Sequence, residues 1–221
     1  MDYVFQFGPV FAFWPELLRG TALTIALTLV ATAIGLPIAA VLAALRSFSS
    51  TPVRAAVSAY VELIRNTPFL IQLYFVFFAL PGLGLRLTAN EAAITAMVVN
   101  LVAYAVDILR AGLQAVPRGQ IEAARALGLR PLRIIRHVIL GQALRIVYPA
   151  LASQFILQLL GSSLVSAIAA EELTAVANNI MIQTFRNFEV FGVVTVIYLA
   201  LSLGFRALLD GGYRLAFREP T

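Results

Sequence analysis

The sequence predicts an all-α, polytopic membrane protein with five transmembrane helices, its N-terminus outside and its C-terminus inside. Three observations carry that prediction. The 221 residues are 61% hydrophobic and only 12% charged, with a mean hydropathy of +0.90. Soluble domains sit near half apolar with about a quarter charged. Apolar runs recur five times, and since each crossing uses about 20 such residues, five crossings with short loops occupy the chain. Finally, the arginines divide unequally between alternate loops.

The first run, 17–45, carries no charge between Arg19 and Arg46. Gly35 and Pro37 within it predict a kink near its inner end. The second, 55–80, contains Glu62 and Arg65 and turns aromatic from Phe69 to Phe78. Pro68, after Asn66-Thr67, predicts an interruption there, a hinge or a cavity wall. The third, 88–113, includes Asp107 and Arg110; the fourth and fifth cover 147–170 and 191–209. With the N-terminus outside, thirteen of the sixteen arginines, Arg218 among them, fall inside, and only Arg19, Arg86 and Arg186 remain outside. The opposite orientation inverts that split, against the positive-inside tendency. Met1-Asp2-Tyr3 has no basic n-region, so the first run is expected to persist as a span. With no tandem repeat, low-complexity tract or linker, 1–221 reads as a single transmembrane domain.

Composition also narrows the chemistry. All sixteen basic residues are arginine, which excludes a P-loop, whose lysine must reach the phosphates. With no cysteine and His137 as the one histidine, neither disulfides, a metal site nor thiol catalysis is expected. An intramembrane enzyme would need a motif such as HExxH or GxSxG, and the sequence has neither. A carrier driven by ion gradients is the competing reading; it calls for carboxylates deep within spans, whereas the acids here are expected at span ends.

Between the third and fourth runs, 116–136 carries five arginines. Gln120 to Leu127 is rich in helix formers, Gly128 suits a helix stop, and Pro131 suits the first turn of a second helix. Two helices meeting at Gly128 make an elbow. Ala123, Ala124 and Ala126 are expected to keep its first arm thin enough to approach another protein closely. Glu122 is expected at the helix entry, where an anion is favourable. Composition alone favours a solvated loop with arginines on lipid headgroups.

The order of residues points further. Glu122-Ala123-Ala124-Arg125-Ala126-Leu127-Gly128 resembles the EAA loop of ABC-importer membrane subunits. Tyr60 to Pro68, Tyr104 to Gln120, Arg136 to Ala143, Ser163-Leu164 and Glu171 to Thr174 resemble the polar amino acid uptake branch of those permeases, over about residues 17–215. The resemblance implies a type I importer permease working by alternating access in a bacterial cytoplasmic membrane. It implies a second permease, identical or paralogous, a pair of cytoplasmic ATPases and an extracytoplasmic solute-binding protein. ATP and Mg would be bound by the ATPase, with no cofactor in this chain. Arg118, Glu122, Ala123, Ala124, Arg125 and Gly128 would be the ATPase-coupling positions. The chain departs from the family where Gly141 replaces a usual proline, which predicts a softer bend there. It departs again at Leu160-Gly161, which lacks a common charged pair.

Within the spans, Gln154, Gln158, Ser162 and Ser166 recur every four residues, as do Asn100 and Tyr104, so each set is expected to share a helix face. Polar groups in hydrocarbon need partners or water. Asn100, Tyr104, Gln154, Gln158 and Ser162 are therefore candidate linings of a solute path. Interhelical hydrogen-bond glue, worth about 0.6 kcal/mol each on average, is the other reading. A neutral lining fits a zwitterion. Thr21, Thr24, Thr28 and Thr32 read as helix packing. Glu62 with Arg65, and Asp107 with Arg110, are expected as i,i+3 ion pairs holding the inner helix ends.

Overall fold

The computed structural model describes residues 3–217; Met1, Asp2 and Arg218 lie outside the described residues. Among them, the regular structure is helical: α1 (Gly8–Phe11), α2 (Trp14–Phe48), α3 (Thr51–Arg65), α4 (Phe69–Tyr74), α5 (Ala89–Ala115), α6 (Arg118–Ala126), α7 (Pro131–Ile134), α8 (Leu140–Gly161), α9 (Leu173–Thr184) and α10 (Asn187–Ala216). Helix α4 runs on through a π turn at Phe75–Ala79 and a 3-10 turn at Leu80–Leu83. A second π turn, Ile135–Ile139, joins α7 to α8, and a 3-10 stretch, Ser162–Ile168, extends α8.

Four helices are individually long and apolar enough to cross a membrane: Trp14–Phe48, Ala89–Ala115, Pro131–Ile168 and Asn187–Ala216. A fifth crossing exists only if Thr51–Arg65 and Phe69–Leu83, bent by 106° at the break between them, count as one span. The second predicted run is thus two helices. Proline cannot continue an α-helix without losing a backbone bond, and Pro68 is extended (φ −63°, ψ 138°) as the residue before α4. The helix that holds the fourth predicted run starts well before it, because Pro131 opens a helical stretch that continues through the π turn into α8. Gly141, where a softer bend was expected, lies inside it. Helix α2 also continues through Pro37. Gly35 serves close approach there, since a Cβ would stand 3.0 Å from Leu101 Cδ2.

Helix α5 is the axis of the fold. Its buried alanines, Ala92, Ala93, Ala96, Ala103 and Ala105, let backbones approach, as small residues do where lipid offers no hydrophobic drive. Two apolar clusters surround it, one with Leu27, Ala31, Leu73 and Ile168, the other with Ala39, Ala43, Val61, Val147 and Leu151. Thr88 caps α5, accepting from Glu91 N while the Glu91 carboxylate accepts from Thr88 N, a capping box.

The N-terminal segment is fastened to the start of α10. Tyr3 Oη donates to Glu189 (2.5 Å), Gln6 N donates to the same carboxylate (2.9 Å), and Arg186 Nη2 reaches Gln6 Oε1 (2.8 Å). The Glu189 carboxylate, as acceptor, holds the Tyr3 phenol above its ordinary range. At the opposite end of α10, Tyr148 Oη donates to Leu209 O (2.7 Å) beside Tyr213 and Phe217. The two ends of the described chain therefore lie at opposite ends of the bundle. Orientation is tested by single cysteines probed with an impermeant thiol reagent. Cysteines at exposed Gly84 and Asn179 are expected to react from outside, and one at exposed Gln120 only after permeabilisation. Labelling of Gln120 from outside overturns the assignment.

Candidate functional site: a polar cavity and the loop below it

The break in the second span leaves carbonyls without helical partners, and such groups must be met in a membrane. Gln72 meets them. Its Nε2 donates to Ile64 O (2.7 Å), Thr67 O (3.0 Å) and Thr67 Oγ1 (3.0 Å), bending α4 back over the end of α3. Its Oε1 accepts from Asn100 Nδ2 on α5 at 3.0 Å. Asn66 and Thr67 satisfy Glu62 O and Leu63 O from within the turn (2.8 and 2.9 Å). The open angle exposes a cavity of about 530 Å³ lined by Asn66, Thr67, Pro68, Asn100, Tyr104, Gln154, Gln158 and, at one side, Arg65.

Four of the five predicted path residues, Asn100, Tyr104, Gln154 and Gln158, meet in this cavity. Gln158 also donates to Met97 O (3.0 Å), so it joins helices while facing the space. Ser162 does not line it. It is buried and bonds Leu159 O of its own helix (2.7 Å), and Ser166 likewise bonds Ser163 O. The four-residue phase ends where α8 tightens into the 3-10 stretch, which turns every three residues and rotates these serines off the face.

The inner end of the site is held differently from the expectation. The pairs Glu62–Arg65 and Asp107–Arg110 do not form among the described residues. Asp107 instead receives Arg46 through Oδ1 and Arg65 through Oδ2. Arg46 Nε also donates to Ser58 (3.0 Å), and the Arg65 guanidinium lies over the Tyr104 ring, 5.3 Å from its centre. Pairing between helices wins because one carboxylate compensates two guanidinium groups and ties α2, α3 and α5 together. Arg110 is left with a buried, unbonded Nε.

Below lies the loop. Helix α6 begins at Arg118, so Glu122 is exposed mid-helix and is not at the entry. Gly128 is left-handed (φ +73°), with Gly128 N on Arg125 O (2.9 Å) and Leu129 N on Ala124 O (3.2 Å). These are the two bonds of a Schellman stop. Ala124 faces inward, packed with Val116, Ile134 and Ala143, so only Ala123 and Ala126 of the three alanines are free on the outer face. Leu127 and Leu132 project at the elbow, 80% and 77% exposed, with Arg118 and Arg125 exposed beside them. His137 is exposed, its Nδ1 3.0 Å from Arg133 O. Among the described residues no His, Cys, Asp and Glu group converges on a metal-sized site.

Residues 35–215 match the family described as the binding-protein-dependent transport system inner membrane component. The chain belongs to that family. The chain is similar to the octopine transport system permease protein OccM of Rhizobium meliloti, 33% identical over 207 residues, 89% of this chain and 84% of that one. It is similar as well to the glutamine transport system permease protein GlnP of Escherichia coli (strain K12), 34% identical over 197 residues, 87% of this chain and 90% of that one. A solved amino acid ABC transporter, crystallised with histidines, matches with a TM-score of 0.89 and 35% identity, covering 96% of this chain and 99% of that one. The chain is a permease subunit and not itself the enzyme of such a system, and its fold is that of a type I importer permease.

The structure also brings forward residues that the sequence did not single out for a site. Gln72 is one. Glu172 is another: buried at 0% exposure, it caps α9 by accepting from Thr174 N and Ala175 N (2.8 and 3.0 Å). It also accepts from Thr24 Oγ1 (3.2 Å) and Tyr198 Oη (2.7 Å). Thr21 and Thr28 bond their own helix as expected of packing threonines, but Thr24 does not. An acid immediately before a helix-forming stretch was the available signal for Glu172.

Proposed function

We propose that this chain is one permease half of an ATP-driven importer that carries a polar amino acid or a related small solute into a bacterial cytoplasm by alternating access. It would act as a single transmembrane unit in the inner membrane. Its partners would be a second permease, identical or paralogous, two cytoplasmic ATPases that bind ATP and Mg, and an extracytoplasmic solute-binding protein. The observation that carries the reading is the cavity lined by Asn100, Tyr104, Gln154 and Gln158 at the broken span. It supplies neutral donors and acceptors inside an otherwise apolar bundle, and polar linings in lipid mark solute paths. The named relatives, which include a glutamine permease, support the substrate class.

The loop is the proposed contact with the ATPase. Its outer face offers Glu122, Ala123, Arg118 and Arg125, and Leu127 and Leu132 form an apolar tip at Gly128. Ala124 acts from behind, seating α6 on α7 and α8. Motion of the tip reaches the cavity through two rigid routes, α5 above Val116 and the continuous helix from Pro131.

The test is Gln158→Leu, which removes a donor and an acceptor at little change of volume. Uptake by the reconstituted complex is expected to fall, in apparent affinity or maximal rate, while the complex still assembles. A loss of thermal stability with unchanged transport per assembled complex overturns the lining and leaves Gln158 as a strut to Met97.

A further inference from the structure

We propose that Arg65 is the carboxylate-binding group of the path, so that the transported solute bears a carboxylate and no net positive charge. This rests on the cavity being the path. Among the described residues Arg65 is the one charged side chain lining the 530 Å³ cavity; the rest of the lining is neutral. Arg65 is 44% exposed, so a solute can reach it.

The guanidinium is held but not used up. Its Nη1 meets Asp107 Oδ2 and its face lies on Tyr104, while Nε and Nη2 have no hydrogen-bond partner among the described residues. That free edge is a two-donor fork, the geometry that matches a carboxylate. Asp107 does not depend on Arg65, because Arg46, fixed by Ser58, stays on its other oxygen. Arg65 can therefore turn to a solute without stranding a charge, the step that makes most buried ion pairs costly to open.

Position gives this exchange a direction. Arg65, Asn66 and Tyr104 also line a second cavity, about 330 Å³, whose other walls include Arg46, Glu62 and Asp107. These three residues are the threshold between the two spaces. On the first side a solute carboxylate meets only Arg65. On the second, Glu62 and Asp107 are matched by Arg46 and by the returning Arg65, so no cation is left over for a solute carboxylate. The first cavity therefore captures a carboxylate and the second offers it no counter-charge. A cationic solute meets repulsion from Arg65 at the threshold. Gln154, nearly buried and without a side-chain hydrogen bond among the described residues, remains available to the solute's other polar groups.

The experiment measures direct binding to the purified permease–ATPase complex in lipid nanodiscs, with no solute-binding protein present to impose its own selectivity. The common L-amino acids are tested one by one, and the best binder is compared with its methyl ester. The wild type is expected to favour the acid over the ester by about tenfold, the scale of one charge-assisted hydrogen bond. Arg65→Gln is expected to erase that ratio and Arg65→Lys to keep part of it. Equal binding of acid and ester by the wild type, a ratio retained in Arg65→Gln, or preference for a cationic amino acid overturns the proposal. Should Arg65→Gln fail to assemble, Asp107→Asn decides: with the competitor neutralised, acid binding is expected to tighten about threefold with ester binding unchanged. Acid binding that does not tighten overturns it. Gln158→Leu separates the two readings: it is expected to weaken acid and ester together. If it changes neither while Arg65→Gln erases the ratio, the path reading of Gln158 fails and the Arg65 assignment stands.

Discussion

Replacing Gly128 with valine is expected to disconnect uptake from ATP hydrolysis in the reconstituted complex. The reason is backbone geometry. At φ +73° an L-residue costs about 1–2 kcal/mol, and β-branching makes that region a genuine outlier. Nothing stands within 4 Å of a Cβ built on Gly128, so the substitution clashes with no neighbour and acts through the turn alone. To relieve the strain, the chain must give up the bonds from Gly128 N to Arg125 O and from Leu129 N to Ala124 O. That swings Leu127 and Leu132 away from α6. Uptake is expected to fall at least about tenfold, with ATP hydrolysis persisting. Gly128→Ala, at the lower end of the strain, is expected to lie between. Full uptake by Gly128→Val removes the elbow as the mechanical element.

Glu172→Ala is expected to lower the stability of the chain by about 3 kcal/mol, from a lost helix cap and hydrogen-bond donors left unmet in a buried site. The carboxylate meets four donors: Thr174 N, Ala175 N, Thr24 Oγ1 and Tyr198 Oη. Two of them belong to α2 and α10, so the residue fastens α9 to both. Some compensation remains, since Thr24 Oγ1 still accepts from Leu173 N (3.2 Å) and Thr174 and Tyr198 stay within 3.0 Å of each other. Glu172→Gln keeps one acceptor and is expected to cost roughly half as much. The measurement is reversible unfolding in mixed micelles. A midpoint within error of the wild type for Glu172→Ala means that the carboxylate is not a fastening point. Proton coupling would then be the reading to examine for it.

Not every polar residue was legible to the same depth. Asn100, Tyr104, Gln154 and Gln158 are legible as one cavity lining, because helical spacing puts i and i+4 on a face and polar faces in lipid must turn inward. Ser162 has the same spacing but leaves that face, because the spacing rule assumes that the helix type does not change. The charges near the inner face are legible as a group, but their pairing differs from the i,i+3 expectation. Sequence proximity favours Asp107 with Arg110; packing places Arg46 and Arg65 nearer. Gln72 carried no signal at all, since its work is to cap carbonyls of a different helix across a bend that only the fold defines.

What the sequence by itself determined is what depends on local chemistry and on partition between lipid and water. Run lengths and hydropathy placed helices in the membrane, and arginine bias predicted their orientation. Gly128 and Pro131 placed an elbow, since φ > 0 and proline's fixed φ are properties of single residues. Only the tertiary structure decided which groups meet. Whether Pro68 kinks a span or breaks it by 106° depends on Gln72 and Asn100 being there to meet the freed carbonyls. Whether Glu172 is a surface acid or a buried cap depends on Thr24, 148 positions away. Such partners are chosen by helix packing, in which small residues such as Gly35 and the alanines of α5 set the distances, and no spacing rule along the chain encodes that choice.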